Sequence, residues 1–174
     1  MTTYVLAGGC FWCLDAVFRR LTGVVESVAG YAGGEAGTAD YYQVASGATM
    51  HAESVQVTFD ETTLPREDLL DIFFLIHDPT TLNRQGADVG PQYRSAMFYA
   101  DDTQKADFEA AIVRARTNWG DPVVTELTPL EVFYPGESEH QDYFNSNPAN
   151  PYCSIVISPK VVKARQAYVK YFKQ

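Results

Sequence analysis

The sequence predicts an α+β fold: a split βαβ, ferredoxin-like, two-layer sandwich on a mixed sheet. Three observations lead there. The early elements run strand, helix, strand, strand, helix, strand. The second and third strands, residues 24–29 and 51–59, have no helix between them, which argues against a doubly wound parallel sheet. The 174 residues, 46% hydrophobic and 20% charged, suit one globular domain, taken as 1–174.

Each element has a local reason. Residues 3–7 read as a short buried strand, broken by Gly8-Gly9. A helix follows from Cys10 to about Leu21, because Leu14, Val17, Phe18 and Leu21 share one helical face. Gly23 stops it, and residues 24–29 form the next strand, ended by Gly30-Tyr31-Ala32-Gly33-Gly34. Residues 35–50 read as a loop. In the strand 51–59, His51, Glu53, Val55, Val57 and Phe59 lie on one side and Ala52, Ser54, Gln56 and Thr58 on the other. Pro65 opens a helix to about His77, with Leu69, Ile72, Phe73 and Ile76 on its apolar stripe. Residues 78–91 read as a second irregular loop, and 93–100 as a strand. Asp101-Asp102 can cap the next helix, striped by Phe108, Ala111, Ile112, Ala115 and Trp119. Strands are expected over 123–127, 131–134 and 152–157, and a short helix over 137–144. Ser158-Pro159 supplies the N-cap and first residue of a last helix, to about Tyr171.

Composition excludes several function classes. Lys plus Arg total 13 against 22 Asp plus Glu, a formal net charge of −9. Such a surface repels phosphate backbones, and no basic run offsets it, so no nucleic-acid partner is expected. The longest apolar runs, such as Ile72-Phe73-Phe74-Leu75-Ile76, are far short of the ~20 residues of a membrane-spanning helix, so no membrane role is expected. No basic-then-apolar leader precedes Cys10, and 3 cysteines are too few for a secreted disulfide framework. Both point to the reducing cytoplasm, where a Cys-x-x-Cys spacing such as Cys10 and Cys13 is more often catalytic or metal-binding than structural.

Cys10 follows a strand and two glycines and begins a helix. Free N–H groups and the positive end of the helix dipole favour a thiolate there, so the sequence predicts a lowered thiol pKa and a nucleophile. A small buried hydrophobe is the plain alternative. Cys13, one turn on, can pair with Cys10 or pack in the core. A zinc site of Cys10, Cys13, Cys153 and His140 lacks a second closely spaced ligand pair, so no metal is expected. Glu53 shares a strand face with apolar residues; if buried, its pKa rises and it becomes a proton donor at neutral pH. Beyond the buried end of its strand, it would be an ordinary surface carboxylate. The polar loop 83–95 is longer than a connector needs, which marks it as functional or simply solvated. Tyr31, Tyr41 and Tyr42, beside glycines, can line a pocket or cover the surface.

Gly8-Gly9-Cys10-Phe11-Trp12-Cys13 closely resembles the signature of the A-class peptide methionine sulfoxide reductases. The resemblance extends through Gly30-Tyr31-Ala32-Gly33-Gly34, His51-Ala52-Glu53, the loop 83–95 and His140-Gln141-Asp142-Tyr143, in the family's order over nearly the whole chain. Enzymes of this class reverse methionine oxidation, one enzyme per sulfoxide epimer. The resemblance implies reduction of methionine S-sulfoxide, free or in oxidised proteins, without a cofactor. It implies that Cys10 attacks the sulfoxide sulfur, Glu53 protonates its oxygen, Tyr41 and Tyr93 donate hydrogen bonds to that oxygen, and Asp88 organises the site. Phe11 and Trp12 would take the S-methyl group. A second thiol would then close a disulfide with Cys10 for thioredoxin to reduce. Cys153 matches the region where many members place that thiol and is favoured over Cys13. Met50 stands where the family commonly has glycine, and Pro91 where it has threonine. A thiol sensor and a thioredoxin-like oxidoreductase are the competing readings; the second lacks the proline usual between such cysteines and leaves Glu53 without a task.

Overall fold

Alternating and continuous apolar runs make the strands of a six-stranded sheet, seen in a computed structural model that describes residues 1–174. The strands are β1 (Thr2–Gly8), β2 (Val24–Ala32), β3 (Ala52–Phe59), β6 (Ser95–Tyr99), β7 (Glu126–Pro129) and β8 (Phe133–Pro135). Their order is β7-β6-β1-β3-β2-β8. Only β6 and β7 pair in parallel, so the sheet is mixed and the fold is α+β. A separate small hairpin, β4 (Arg84–Gln85) and β5 (Asp88–Val89), stands apart from it. The helices are α1 (Phe11–Phe18), α2 (Tyr41–Ala45), α3 (Arg66–Leu75), α4 (Asp102–Arg116), α5 (Tyr143–Ser146) and α6 (Ser158–Ala167).

β3 lies antiparallel between β1 and β2, which therefore run parallel to each other with α1 as their connection. Leu6 pairs with Val55, and Tyr31 with Glu53. This register brings Glu53 level with the end of β1, where α1 begins. The main core fills the face carrying Tyr4, Leu6, Val55, Val57, Phe59 and Met97, against Leu14, Val17 and Phe18 of α1, Leu69 and Phe73 of α3, and Phe108 of α4. A smaller cluster of Val5, Ala7, Ala32, Ala52, Ala96 and Phe98 fills the other face, covered by Leu130 and Phe133. Asp101 caps α4 as expected, accepting from the Gln104 N–H.

Several expected elements are corrected. The loop 35–50 contains α2, capped by Asp40, whose side chain accepts from the Gln43 N–H. The loop 78–91 contains the β4–β5 hairpin. Tyr93 sits in a tight turn before β6 rather than in the strand. The expected helix 137–144 is split: Ser138–His140 form one turn, and Asp142 takes a left-handed conformation (φ 52°) before α5. The largest error is the strand expected over 152–157. Cys153–Ile157 is a π-helical turn running straight into α6. Cys153 and Ile157 are buried while Ile155 is 71% exposed, a helical spacing rather than an alternation. Because the helix is already under way at Ile157, Ser158 does not cap it.

The double glycine is a landing surface for two side chains. A Cβ on Gly8 would lie 2.9 Å from the His77 ring, and one on Gly9 would lie 2.6 Å from Gln85 Cγ. Gly9 also has φ of +89°, where a side chain is strained. Gln85 in turn accepts from the Asp78 N–H and donates to the Asp78 carbonyl, folding the 78–89 arm down onto Cys10's approach. Gly9→Ala is therefore expected to cost about 2–4 kcal/mol and lift this arm; urea unfolding at constant m-value measures the loss.

Candidate active site

Cys10 is the residue immediately before α1, and its carbonyl accepts the Cys13 N–H at 3.0 Å. The next two N–H groups are the unpaired donors of a helix start. Here the Phe11 N–H donates to Glu53 Oε1 at 3.1 Å, while the Trp12 N–H lies on the Cys10 side and favours its thiolate. One short segment thus holds a thiol and a carboxyl side by side. Both residues are buried, Cys10 at 7% and Glu53 at 3% exposure.

Burial pushes the Glu53 carboxyl up to about 8, against the opposing Phe11 N–H and with help from the nearby Asp88. It is therefore protonated at neutral pH, and the placement of Glu53 in water is excluded. The expectation for Cys10 is corrected. Burial, its hydrogen bond with Cys13 and the neighbouring Glu53 push the Cys10 thiol up, and the Trp12 N–H does not offset them. Cys13 is drawn down to about 7, chiefly because the Cys10 thiol donates to it.

Tyr41, Tyr93 and Asp88 lie near Glu53, and the two tyrosines also near Cys10. The Tyr41 and Tyr93 hydroxyls are half-buried and held protonated by burial, then by Glu53 and Cys10. Asp88, on β5, is half-buried and accepts the Tyr152 hydroxyl at 2.7 Å. Phe11 is fully buried and Trp12 partly so. The two rings lie 6.5 Å apart, and Trp12 is stacked on Tyr143 at 3.6 Å. All three cysteines are free thiols; Cys153 lies in the π-turn beyond Tyr152 and is not bonded to Cys10. Tyr42 is 83% exposed and belongs to the surface.

Sequence reasoning assigned no supporting role to three residues that have one. Glu137 accepts the Tyr31 hydroxyl at 2.8 Å and the Tyr41 N–H at 3.0 Å, so it fixes Tyr41. His140 accepts the Trp12 indole N–H on Nδ1 at 3.2 Å and stacks on Tyr41 at 4.3 Å. The Tyr152 hydroxyl lies 4.0 Å from Cys13 Sγ while it bonds Asp88. Tyr152 stands next to Cys153 in the sequence, which was the one available signal. Below them the buried Asp15 of α1 accepts Arg19 Nε (2.8 Å), the Ser27 hydroxyl (2.6 Å) and the Asp142 N–H (3.0 Å), which pins the turn carrying His140.

Glu137, Glu139 and His140 form one carboxylate–histidine cluster. The Trp12 N–H on Nδ1 leaves the proton on His140 Nε2, so the nitrogen nearest Glu139 has no lone pair for a cation. A buried thiol, a protonated carboxyl and phenolic donors in an aromatic hollow can together take an oxygen from a polarised centre onto sulfur.

Residues 2–172 match the family model described as peptide methionine sulfoxide reductase. The chain is 55% identical over 168 residues to "Peptide methionine sulfoxide reductase MsrA" of Paenarthrobacter aurescens (strain TC1), covering 97% of each. Among solved structures it is similar to the reduced form of Mxr1 from Saccharomyces cerevisiae, with a TM-score of 0.81 and 34% identity over 87% of this chain and 88% of that one. It is also similar to Mxr1 in complex with Trx2, with a TM-score of 0.56 and 28% identity over 82% and 84% of the two chains.

Proposed function

The chain belongs to the peptide methionine sulfoxide reductases and reduces methionine sulfoxide, and on that premise we propose that it acts on the S epimer, free or in oxidised proteins, through a Cys10 sulfenic acid. The observation that carries this reading is the carboxyl of Glu53, buried and protonated, held against the N–H of Phe11 beside Cys10.

A sulfoxide sulfur becomes electrophilic as its oxygen gains a proton. Phe11 and Trp12 take the S-methyl group, while Tyr41 and Tyr93 donate to the sulfoxide oxygen. Glu53 gives that oxygen its proton as the Cys10 thiolate attacks sulfur. Attack forms a bond between Cys10 Sγ and the substrate sulfur; the oxygen then passes to Cys10 as that S–S bond and the substrate S–O bond break, so methionine leaves and Cys10 carries S–OH. The proton that Cys10 gave up restores Glu53. Because burial holds the thiol up, Cys10 is protonated at rest and gives up its proton as it attacks. Asp88 holds the Tyr152 hydroxyl and closes the hollow. A second thiol, Cys153 or Cys13, then condenses with S–OH and releases water. The yeast relative solved with Trx2 supports thioredoxin as the reductant that reopens the disulfide.

The same reading takes 1–174 as a single catalytic domain acting in the cytoplasm, with neither cofactor nor metal. No helix is long and apolar enough to cross a membrane. The order β6-β1-β3-β2, with α1 and α3 as the two connections, supports the split βαβ, ferredoxin-like assignment for the central four strands. The deciding assay supplies dithiothreitol and each resolved epimer of methionine sulfoxide and measures methionine. Turnover of the S epimer alone is expected; equal turnover of both, or of insulin disulfides in place of sulfoxide, would overturn the reading.

A further inference from the structure

A cavity of about 340 Å³ opens where the C-terminal ends of α3 and α4 meet the second half of α6. Its apolar walls are Phe74 and Leu75 of α3, Trp119 just past α4, and Tyr168 at the end of α6. Phe74 is buried, and Trp119 and Tyr168 are half-buried. The cavity shares no residue with the hollow around Cys10 and Glu53. Its polar groups are mostly donors. The Trp119 indole N–H, the Tyr168 hydroxyl and the Lys163 ammonium find no partner within the chain. Burial, then Asp71 and Asp68, hold the Tyr168 phenol above its ordinary range, so it keeps its proton to donate.

The one carboxylate that lines the cavity, Asp71, is already engaged: it accepts Arg114 Nε at 2.9 Å. Nη2 of the same guanidinium is buried and has no acceptor. Arg114 and Lys163 thus set two positive charges against the single charge of Asp71. Asp68, the next carboxylate, takes the Tyr171 hydroxyl, and Lys170 lies over that ring at 4.9 Å, so Asp68 has its own cation. One positive charge is left over at a cavity with aromatic walls, on a chain whose formal net charge is −9. Charges beyond about 8 Å are screened at physiological salt, so the local excess decides what the cavity attracts.

We propose that this cavity is a second binding site, for a small aromatic carboxylate: a flat ring system lies among Phe74, Trp119 and Tyr168, and its carboxylate takes Lys163 and the Tyr168 hydroxyl. The ring gains apolar burial and edge or face contacts with the aromatic walls. The carboxylate gains a charge-assisted hydrogen bond from an ammonium that has no other partner. A neutral ring compound would leave that ammonium unanswered. A cationic one would meet it as a like charge, with Asp71 already held by Arg114. The volume is at the small end of the range for ligand sites, which suits one or two fused rings.

The test offers the full chain one ring system with three heads: 2-naphthoate, 2-naphthalenemethanol and 2-naphthalenemethylamine. Calorimetry at neutral pH measures each affinity, and amide NMR shifts locate each ligand. Naphthoate should bind with a Kd below about 1 mM and about tenfold more tightly than the amine. Its shifts should fall at Leu75, Asn118, Trp119, Lys163 and Tyr168. Lys163 is exposed on α6, so Lys163→Glu should leave the fold and sulfoxide turnover unchanged while it reverses the order of anion and amine. Trp119→Ala should weaken all three ligands together. Equal affinity for the three heads would overturn the site, as would an unchanged order in Lys163→Glu. Naphthoate shifts confined to Cys10–Cys13 would place the ligand in the other aromatic hollow and overturn it too, as would the absence of both heat and shifts.

Discussion

Cys10→Ser is expected to abolish methionine formation from the sulfoxide, by on the order of 10⁴–10⁶-fold in a single turnover. The reason is chemical. The proposed reaction moves an oxygen onto the attacking atom and passes through a covalent link to sulfur. A hydroxyl at this position keeps its proton far more tightly than a thiol and has no accessible S–OH state. The substitution is nearly isosteric and leaves the Phe11 N–H to Glu53 bond in place, so the fold should be retained. Quenched-flow measurement of methionine, with substrate in excess of enzyme, reads the loss. Retention of more than a hundredth of the unmodified rate would move the nucleophile to Cys13.

Glu53→Gln is the second large effect, an expected loss of about 10²–10⁴-fold in the same first turnover. Glutamine can still donate a hydrogen bond to a sulfoxide oxygen, but it has no proton to give up. The pH profile distinguishes the two roles. Glu53, raised to about 8, supplies its proton below that value and is ionised above it, so the rate of the unmodified enzyme should fall through pH 8 on the alkaline side. The Gln variant should lose that limb along with most of its rate.

Stability should move the other way. The folded protein holds the Glu53 proton up to about pH 8, whereas the ordinary value is 4.5. Below pH 4.5 both states carry the proton and folding is not penalised at this site. Between there and pH 8 the unfolded chain ionises while the folded one does not, so stability declines as pH rises. Glutamine does not ionise. Glu53→Gln should therefore gain on the order of 2–4 kcal/mol relative to the unmodified protein at pH 8 compared with pH 4, read from paired urea titrations.

Much of this arrangement was legible in the chain. Gly8-Gly9-Cys10 and the alternation around Glu53 pointed to the thiol and carboxyl that the structure brings together, because a helix start after a strand and a period of two are local patterns. What the sequence could not give was the balance of opposing local effects. The helix start favours a Cys10 thiolate, yet burial and a second sulfur outweigh it. The π-turn at Cys153 was misread for a related reason. Five residues of mixed apolar and polar character satisfy a strand period and a helical period equally, and only packing on α1 selected the second. The supports Glu137, His140 and Tyr152 act across more than 60 residues of sequence, where no local pattern reaches.

The double-glycine step has a consequence for anyone reshaping the substrate range. His77 and Gln85 rest on it with no slack, so no side chain can be added at this step, immediately before Cys10, without moving them. Tyr42 and Val89, the chain neighbours of Tyr41 and Asp88, instead reach solvent at 83% and 71% exposure. Substitutions confined to those two exposed positions should leave the packing on the double glycine undisturbed.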